Sequence, residues 1–116
     1  MAKPLGPYTP VLRAGDWLIC SGQLGMRDGA LVEGIQAQVT QAVANIAELL
    51  ESEGAGLENV VKTLVLLADI DDFAEMNAAY VEAFGEHRPA RSAFAVAGRP
   101  AGGLVEIEAW AFAPAG

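Results

Sequence analysis

Four groups of residues in this sequence have types and spacings that could do chemistry. Glu106 and Glu108 alternate along residues 104–112, a period-two stretch that reads as a strand, so both carboxylates fall on one face. Like charges that close repel each other, and partial burial moves one of them toward the range of a working base. Two solvated acids at a sheet edge are the plain structural alternative. Arg91 enters another strand after Pro89-Ala90, and its planar fork suits a carboxylate or phosphate. An ordinary ion pair with one of the 15 acids would also explain it. Asn77 lies between Phe73 and Tyr80 on an apolar helical stripe, where a buried amide needs partners. Nearby backbone could supply them. Finally, the Ser21-Gly22 step in Cys20-Ser21-Gly22-Gln23 ends a strand, where it either brings backbone and hydroxyl close to a ligand or makes a simple turn.

Other chemistries find no support. His87 is the only imidazole, is expected to be exposed after a helix end, and has no visible tie to Ser21, so a Ser–His nucleophile is disfavoured. A single His and a single Cys make no typical zinc site, and no phosphate loop or dinucleotide fingerprint occurs. The expectation is acid–base work without a cofactor or metal, or simple binding.

These residues need a scaffold. Residues 11–13 and 17–21 read as short strands around Ala14-Gly15-Asp16, and Arg27-Asp28-Gly29 as a second turn. Ile35, Val39, Ala42, Val43, Ile46, Leu49 and Leu50 recur at three- and four-residue steps, which predicts a helix over 36–53 ended by Gly54. Residues 60–68 read as a central strand. Asp72 and Glu75 resemble a capping box opening a second helix to about Phe84, with Phe73, Met76, Tyr80 and Phe84 as its stripe. Residues 91–97 and 104–112 complete the order β-β-(β)-α-β-α-β-β, with both helices expected on one sheet face. Val105, Ile107, Ala109 and Ala111 are small and apolar enough to lie under them. Leu104, Glu106, Glu108, Trp110 and Phe112 take the other face, whose bulky aromatics call for a cover; a second subunit is the simplest one.

The 116 residues suit one α/β (α+β) domain over 1–116. Seven Lys+Arg against 15 Asp+Glu leave a net charge of -8, the wrong balance for nucleic acid and for anionic membrane surfaces. Cys20 is the only cysteine, which excludes an intrachain disulfide, and no run suits a signal peptide or a membrane span. A cytoplasmic protein is expected.

Taken in order, the blocks Gly6-Pro7-Tyr8, Ser21-Gly22-Gln23, Val61-Lys62-Thr63, Asp72-Phe73 with Asn77, Pro89-Ala90-Arg91-Ser92 and Glu106-Ile107-Glu108-Ala109 resemble the RidA (YjgF) family across nearly the whole chain. The resemblance implies a chorismate-mutase-like fold: a six-stranded mixed sheet with two helices on one face, assembled as a homotrimer with ligand clefts between subunits. It implies hydrolysis of 2-aminoacrylate-type enamines and imines to ammonia and a 2-keto acid, without a cofactor. By resemblance Arg91 clamps the substrate carboxylate, Glu106 positions or activates water, and Tyr8, Ser21, Gly22 and Asn77 line the cleft. Ala93 stands where the family often has a cysteine, whose part is attributed largely to backbone atoms. Residues 24–34 are shorter than in archetypal members. A non-catalytic module that binds small 2-keto acids is the alternative. Ribonuclease activity, reported for some relatives, fits poorly with the acidic balance.

Overall fold

The computed structural model describes residues 4–115; Met1–Lys3 and Gly116, the ends of the expected domain, lie outside the described residues. The elements are β1 (Val11–Ala14), β2 (Trp17–Leu24), β3 (Met26–Arg27), β4 (Ala30–Leu31), α1 (Ile35–Glu51), β5 (Val60–Leu67), α2 (Phe73–Phe84), β6 (Ala90–Ala95) and β7 (Val105–Phe112), with short 3-10 turns before β5, α2 and β7.

The main sheet has five strands in the order β1-β2-β7-β5-β6, not six. Only β5 and β6 run parallel, joined through α2 as a parallel pair requires. The expected extra strand is a separate hairpin, β3–β4. Asp28 and Gly29 both take positive φ, 55° and 82°, the two-residue turn that folds a strand back on its neighbour. The segment therefore pairs with itself before it can reach a sheet edge.

The stripe of α1 is buried as its periodicity predicts: Ile35, Val39, Ala42, Val43, Ile46, Leu49 and Leu50 all face the core. Gly54 ends the helix in a Schellman arrangement, with φ 78°, its own N–H on Glu51 O and the Ala55 N–H on Leu50 O. The core lies between this stripe, Met76, Tyr80 and Phe84 of α2, and the sheet face carrying Leu18, Cys20, Thr63, Val65, Leu67, Val105, Ile107, Ala109 and Ala111. Each fully buried aliphatic side chain contributes roughly 1.5–3 kcal/mol of transfer free energy.

Three expectations are corrected. Asp72 makes no capping hydrogen bond; Asp69 accepts one from the Asp71 N–H at 2.9 Å and opens a 3-10 turn that runs into α2. The penultimate strand stops at Ala95, short of the expected residue 97. His87 is half-buried, with Nε2 2.7 Å from Val60 O, so it pins the chain leading into β6 to the start of β5.

Side chains on α1 also fix the hairpin. Asn45 Nδ2 donates to Leu24 O and Met26 O at 3.1 and 3.0 Å, while Gln38 Nε2 donates to Val32 O at 3.0 Å and its Oε1 accepts from the Leu104 N–H at 2.9 Å. The β2–β3 junction passes so close to α1 that a Cβ on Gly25 would lie 2.5 Å from the Cα of Gln38. Only glycine allows that approach.

The opposite sheet face is open. Phe94, Trp110 and Phe112 are 47%, 44% and 43% exposed, and Trp17 stacks edge-on against Phe112 with ring centroids 5.2 Å apart. No helix among the described residues is long and apolar enough to cross a membrane.

Candidate functional site

The pairing of β2 with β7 breaks where the Ser21-Gly22 step sits. Cys20 pairs with Ala109 and Gln23 with Ile107, so Ser21 and Gly22 together oppose the single residue Glu108. This is a β-bulge, which bends a strand and re-aims its side chains. Ser21 anchors the segment ahead of β1: its N–H donates to Pro10 O at 2.8 Å and its hydroxyl to Thr9 O at 2.7 Å. That donor is therefore engaged with a carbonyl, and Ser21 positions the segment carrying Tyr8. The Tyr8 hydroxyl accepts from the Leu5 N–H at 3.1 Å, and its ring is 43% exposed.

Glu106 lies against the bulge. A Cβ built on Gly22 would come within 2.0 Å of Glu106 Oε2, so any side chain at 22 displaces the carboxylate. Burial raises the Glu106 carboxyl above the ordinary glutamate range; the charge of Glu108 adds to this, and Arg99 partly offsets it. Glu108 accepts from the Trp110 indole N–H at 2.9 Å, whereas Glu106 has no hydrogen-bond partner among the described residues. The two acids differ as general-base candidates for that reason. Tyr8, Ser21, Gly22 and Glu106 line one cleft of about 480 Å³, which continues past the hairpin toward α1.

Arg91 lies elsewhere. It pairs with Thr63 on β5, so its side chain leaves the sheet on the helix face. There the guanidinium carbon sits 4.9 Å from the centroid of Tyr80 and 5.6 Å from that of Phe73, and Nη1 is 3.7 Å from Met76 Sδ. The Tyr80 hydroxyl is held by Thr63 Oγ1 at 2.7 Å in a buried pair, and burial keeps that phenol above its ordinary range. Ring faces stabilise the cation without consuming its in-plane donors. No carboxylate among the described residues pairs with Arg91. One residue on from Met76, Asn77 buries an Oδ1 that has no donor among the described residues. Such an atom costs stability unless something else binds it. Ala93 follows on the same face of β6, with its methyl packed on the core.

One chain thus groups Tyr8, Ser21, Gly22 and Glu106, and separately Arg91, Asn77 and Ala93. Glu106 pairs with Leu66 on the open face, so Arg91 and Glu106 leave the sheet on opposite sides. The cradle of Phe73, Met76, Tyr80 and Thr63 was not expected as part of a site. The one available signal was Thr63, the lone polar residue among the buried positions of β5.

A family model described as Endoribonuclease L-PSP matches residues 1–113. A RutC family protein of Pyrococcus horikoshii is 43% identical over 113 residues, covering 95% of this chain and 90% of its own. A 2-iminobutanoate/2-iminopropanoate deaminase of Bos taurus is 46% identical over 108 residues, covering 90% of this chain and 79% of its own. The crystal structure of RidA from an Antarctic Psychrobacter superposes with a TM-score of 0.91 at 39% identity, covering 95% of this chain and 91% of that one.

Proposed function

The chain belongs to the RidA (YjgF) family, and from that membership we propose that it hydrolyses 2-imino acids, reached from 2-aminoacrylate-type enamines, to 2-keto acids and ammonia in clefts shared between the copies of a homotrimer. The observation that carries this reading is Glu106: a half-buried carboxylate whose pKa burial raises, held against Gly22 at the edge of an open cleft. Since one chain sends Arg91 and Glu106 to opposite sides of its sheet, the arginine comes from a neighbouring copy. The exposed Phe94, Trp110 and Phe112 give that neighbour an apolar seat.

Arg91 of one copy grips the imine's carboxylate through two parallel hydrogen bonds, and Asn77 Oδ1 finds its missing donor at this junction. Gripping the carboxylate fixes C2 beside the water that faces Glu106 of the next copy. Glu106 takes a proton from the water and passes it to the imine nitrogen as the water oxygen bonds to C2, giving a carbinolamine. It then takes the proton of the C2 hydroxyl and delivers it to the nitrogen as the C–N bond breaks, so that C2 becomes a carbonyl and ammonia leaves. The imine already hydrolyses in water, so acid–base help of about 10²–10⁴-fold is enough. Neither step calls for a cofactor.

The test is the lifetime of 2-iminobutanoate generated in place by an amino-acid oxidase with semicarbazide as competing trap. Trapped product is expected to fall in proportion to added protein; an unchanged yield would sink the deaminase reading. One observation favours a second reading. The Arg91 cradle is complete within one chain and needs no acid, as a module that only binds 2-keto acids would require. Calorimetric binding of 2-oxobutanoate without any shortening of the imine lifetime would select that module.

A further inference from the structure

A carboxylate works as a base only when ionised, and the surroundings of Glu106 oppose its ionisation. Burial raises its pKa and the charge of Glu108 adds to this; Arg99 is the group that pulls it back down. The path of the chain brings Arg99 there. It belongs to the connection between β6 and β7. Those strands flank β5, so the connection passes over the end of β5. Both of its feet are tied to that end: the Val96 N–H donates to Leu67 O and the Ala68 N–H to Leu104 O, each at 2.9 Å. Leu66, one residue earlier on β5, pairs with Glu106, so the crossing chain stands beside the row that carries the acid. Pro100 of the crossing lines the same cleft as Glu106. Ala101 and Gly102 turn the chain back with φ of 57° and 72°. Arg99 Nε then donates to Gly103 O at 2.6 Å and closes the turn. Its two outer nitrogens have no partner among the described residues, and no ion pair there joins it to Glu106. A half-buried guanidinium tethered in this way acts across the gap through its charge.

We propose that Arg99 is a positioning residue for the Glu106 half of the site: its guanidinium, stitched to Gly103 over the end of β5, supplies the positive charge that keeps the carboxylate ionised and ready to take a proton from water. The proposal rests on Glu106 as the base and deepens that reading. The other titratable groups around the acid do not serve this purpose. Tyr8 from the leading segment, Asp28 from the hairpin and Glu48 from α1 border the cleft, and Glu108 shares the strand; none of them is a cation. Lys62 lies on the same face of β5, but its Nζ donates to Ser92 Oγ at 2.9 Å. In the proposed assembly Arg91 of the neighbouring copy faces the substrate's carboxylate, whose charge it balances. Arg99 is the cation left to serve the base.

Charge and stitch can be separated. Arg99→Gln keeps an N–H for the Gly103 carbonyl and removes the charge, whereas Arg99→Lys keeps the charge. Two measurements are made on each full-length variant. One is the pH profile of kcat/KM for 2-iminobutanoate. The other is the NMR titration of the Glu106 side-chain carboxyl in isotope-labelled protein, assigned with Glu106→Gln. In Arg99→Gln the carboxyl should titrate at higher pH than in the wild type, because losing a nearby cation favours the protonated acid. The acid limb should move the same way, so kcat/KM falls by about threefold or more below the limb and rejoins the wild type above it. Arg99→Lys should leave both close to their wild-type positions. A Glu106 titration unmoved by Arg99→Gln, equal displacement by both variants, or an equal loss of activity at every pH overturns the proposal and leaves Arg99 a tie for the turn. A displaced titration in protein that accelerates no imine upholds the coupling of Arg99 to Glu106 and overturns the deaminase reading instead.

Discussion

The two halves of the proposed site are built by opposite means. Around Glu106 the work is done by irregular backbone: a bulge, a glycine that leaves room for a carboxylate, and a serine that ties down the preceding segment. Around Arg91 it is done by regular structure, where one face of α2 and one strand residue stack rings and a thioether around a guanidinium. The first half holds an acid and no clamp; the second holds a clamp and no acid. Under the proposed reading each is of limited use alone, and the division makes catalysis in such a small fold depend on assembly.

The sharpest way to break this comparison is to disable the halves separately and recombine them. Arg91→Ala and Glu106→Gln should each lower imine turnover by about 10²–10⁴-fold while leaving the molar mass by light scattering at the wild-type value. Unfolding the two variants together and refolding them should restore roughly a quarter of wild-type activity, since random assembly reunites one intact half of each kind at that frequency. Activity that stays at the single-variant level would place both residues of a working site in one chain. Next in size is Gly22→Ala, which pushes the Glu106 carboxylate from its place. A fall in kcat of about tenfold or more is expected, with little change in calorimetric binding of 2-oxobutanoate. An equal loss of binding would mean the bulge serves the clamp as well.

Smaller effects sharpen the Arg91 side. Tyr80→Leu removes a ring facing the guanidinium and should weaken 2-oxobutanoate binding by about three- to thirtyfold, as expected for a partly desolvated cation–π contact. Tyr80→Phe keeps the ring and should bind nearly as the wild type, although it loses the bond to Thr63. Equal weakening by both would shift the credit to the hydroxyl. The smallest effect belongs to Glu108→Gln. Glu106 must be ionised to accept a proton, and the charge of Glu108 raises its pKa. Removing that charge should move the acid limb of the kcat/KM profile to lower pH. A limb that stays in place would assign it to another group.

Much of the scaffold was legible in the sequence because burial leaves a period. The α1 stripe, the alternation of Val105, Ile107, Ala109 and Ala111, and the shared face of Glu106 and Glu108 all follow from it. What stayed hidden depends on register. A bulge at Ser21-Gly22 leaves local composition unchanged and appears only when β2 is laid against β7. The same holds for Arg91, whose side of the sheet is set by its pairing with Thr63. The hairpin escapes the sequence because two short strands, Met26-Arg27 and Ala30-Leu31, satisfy each other across Asp28-Gly29 as well as they would extend a sheet. Tyr80 was visible only as part of a core stripe, since its periodicity is the same whether its ring packs on leucine or on an arginine.

The lone thiol has a practical consequence. Cys20 is fully enclosed, and burial pushes its pKa up to about 12, so at neutral pH almost no thiolate exists and no reagent reaches the sulfur. Alkylation can proceed only through molecules that have opened the central strands. The rate of labelling by an alkylating agent therefore counts how often the sheet comes apart, and gives the chain an internal gauge of its own integrity that needs no added probe.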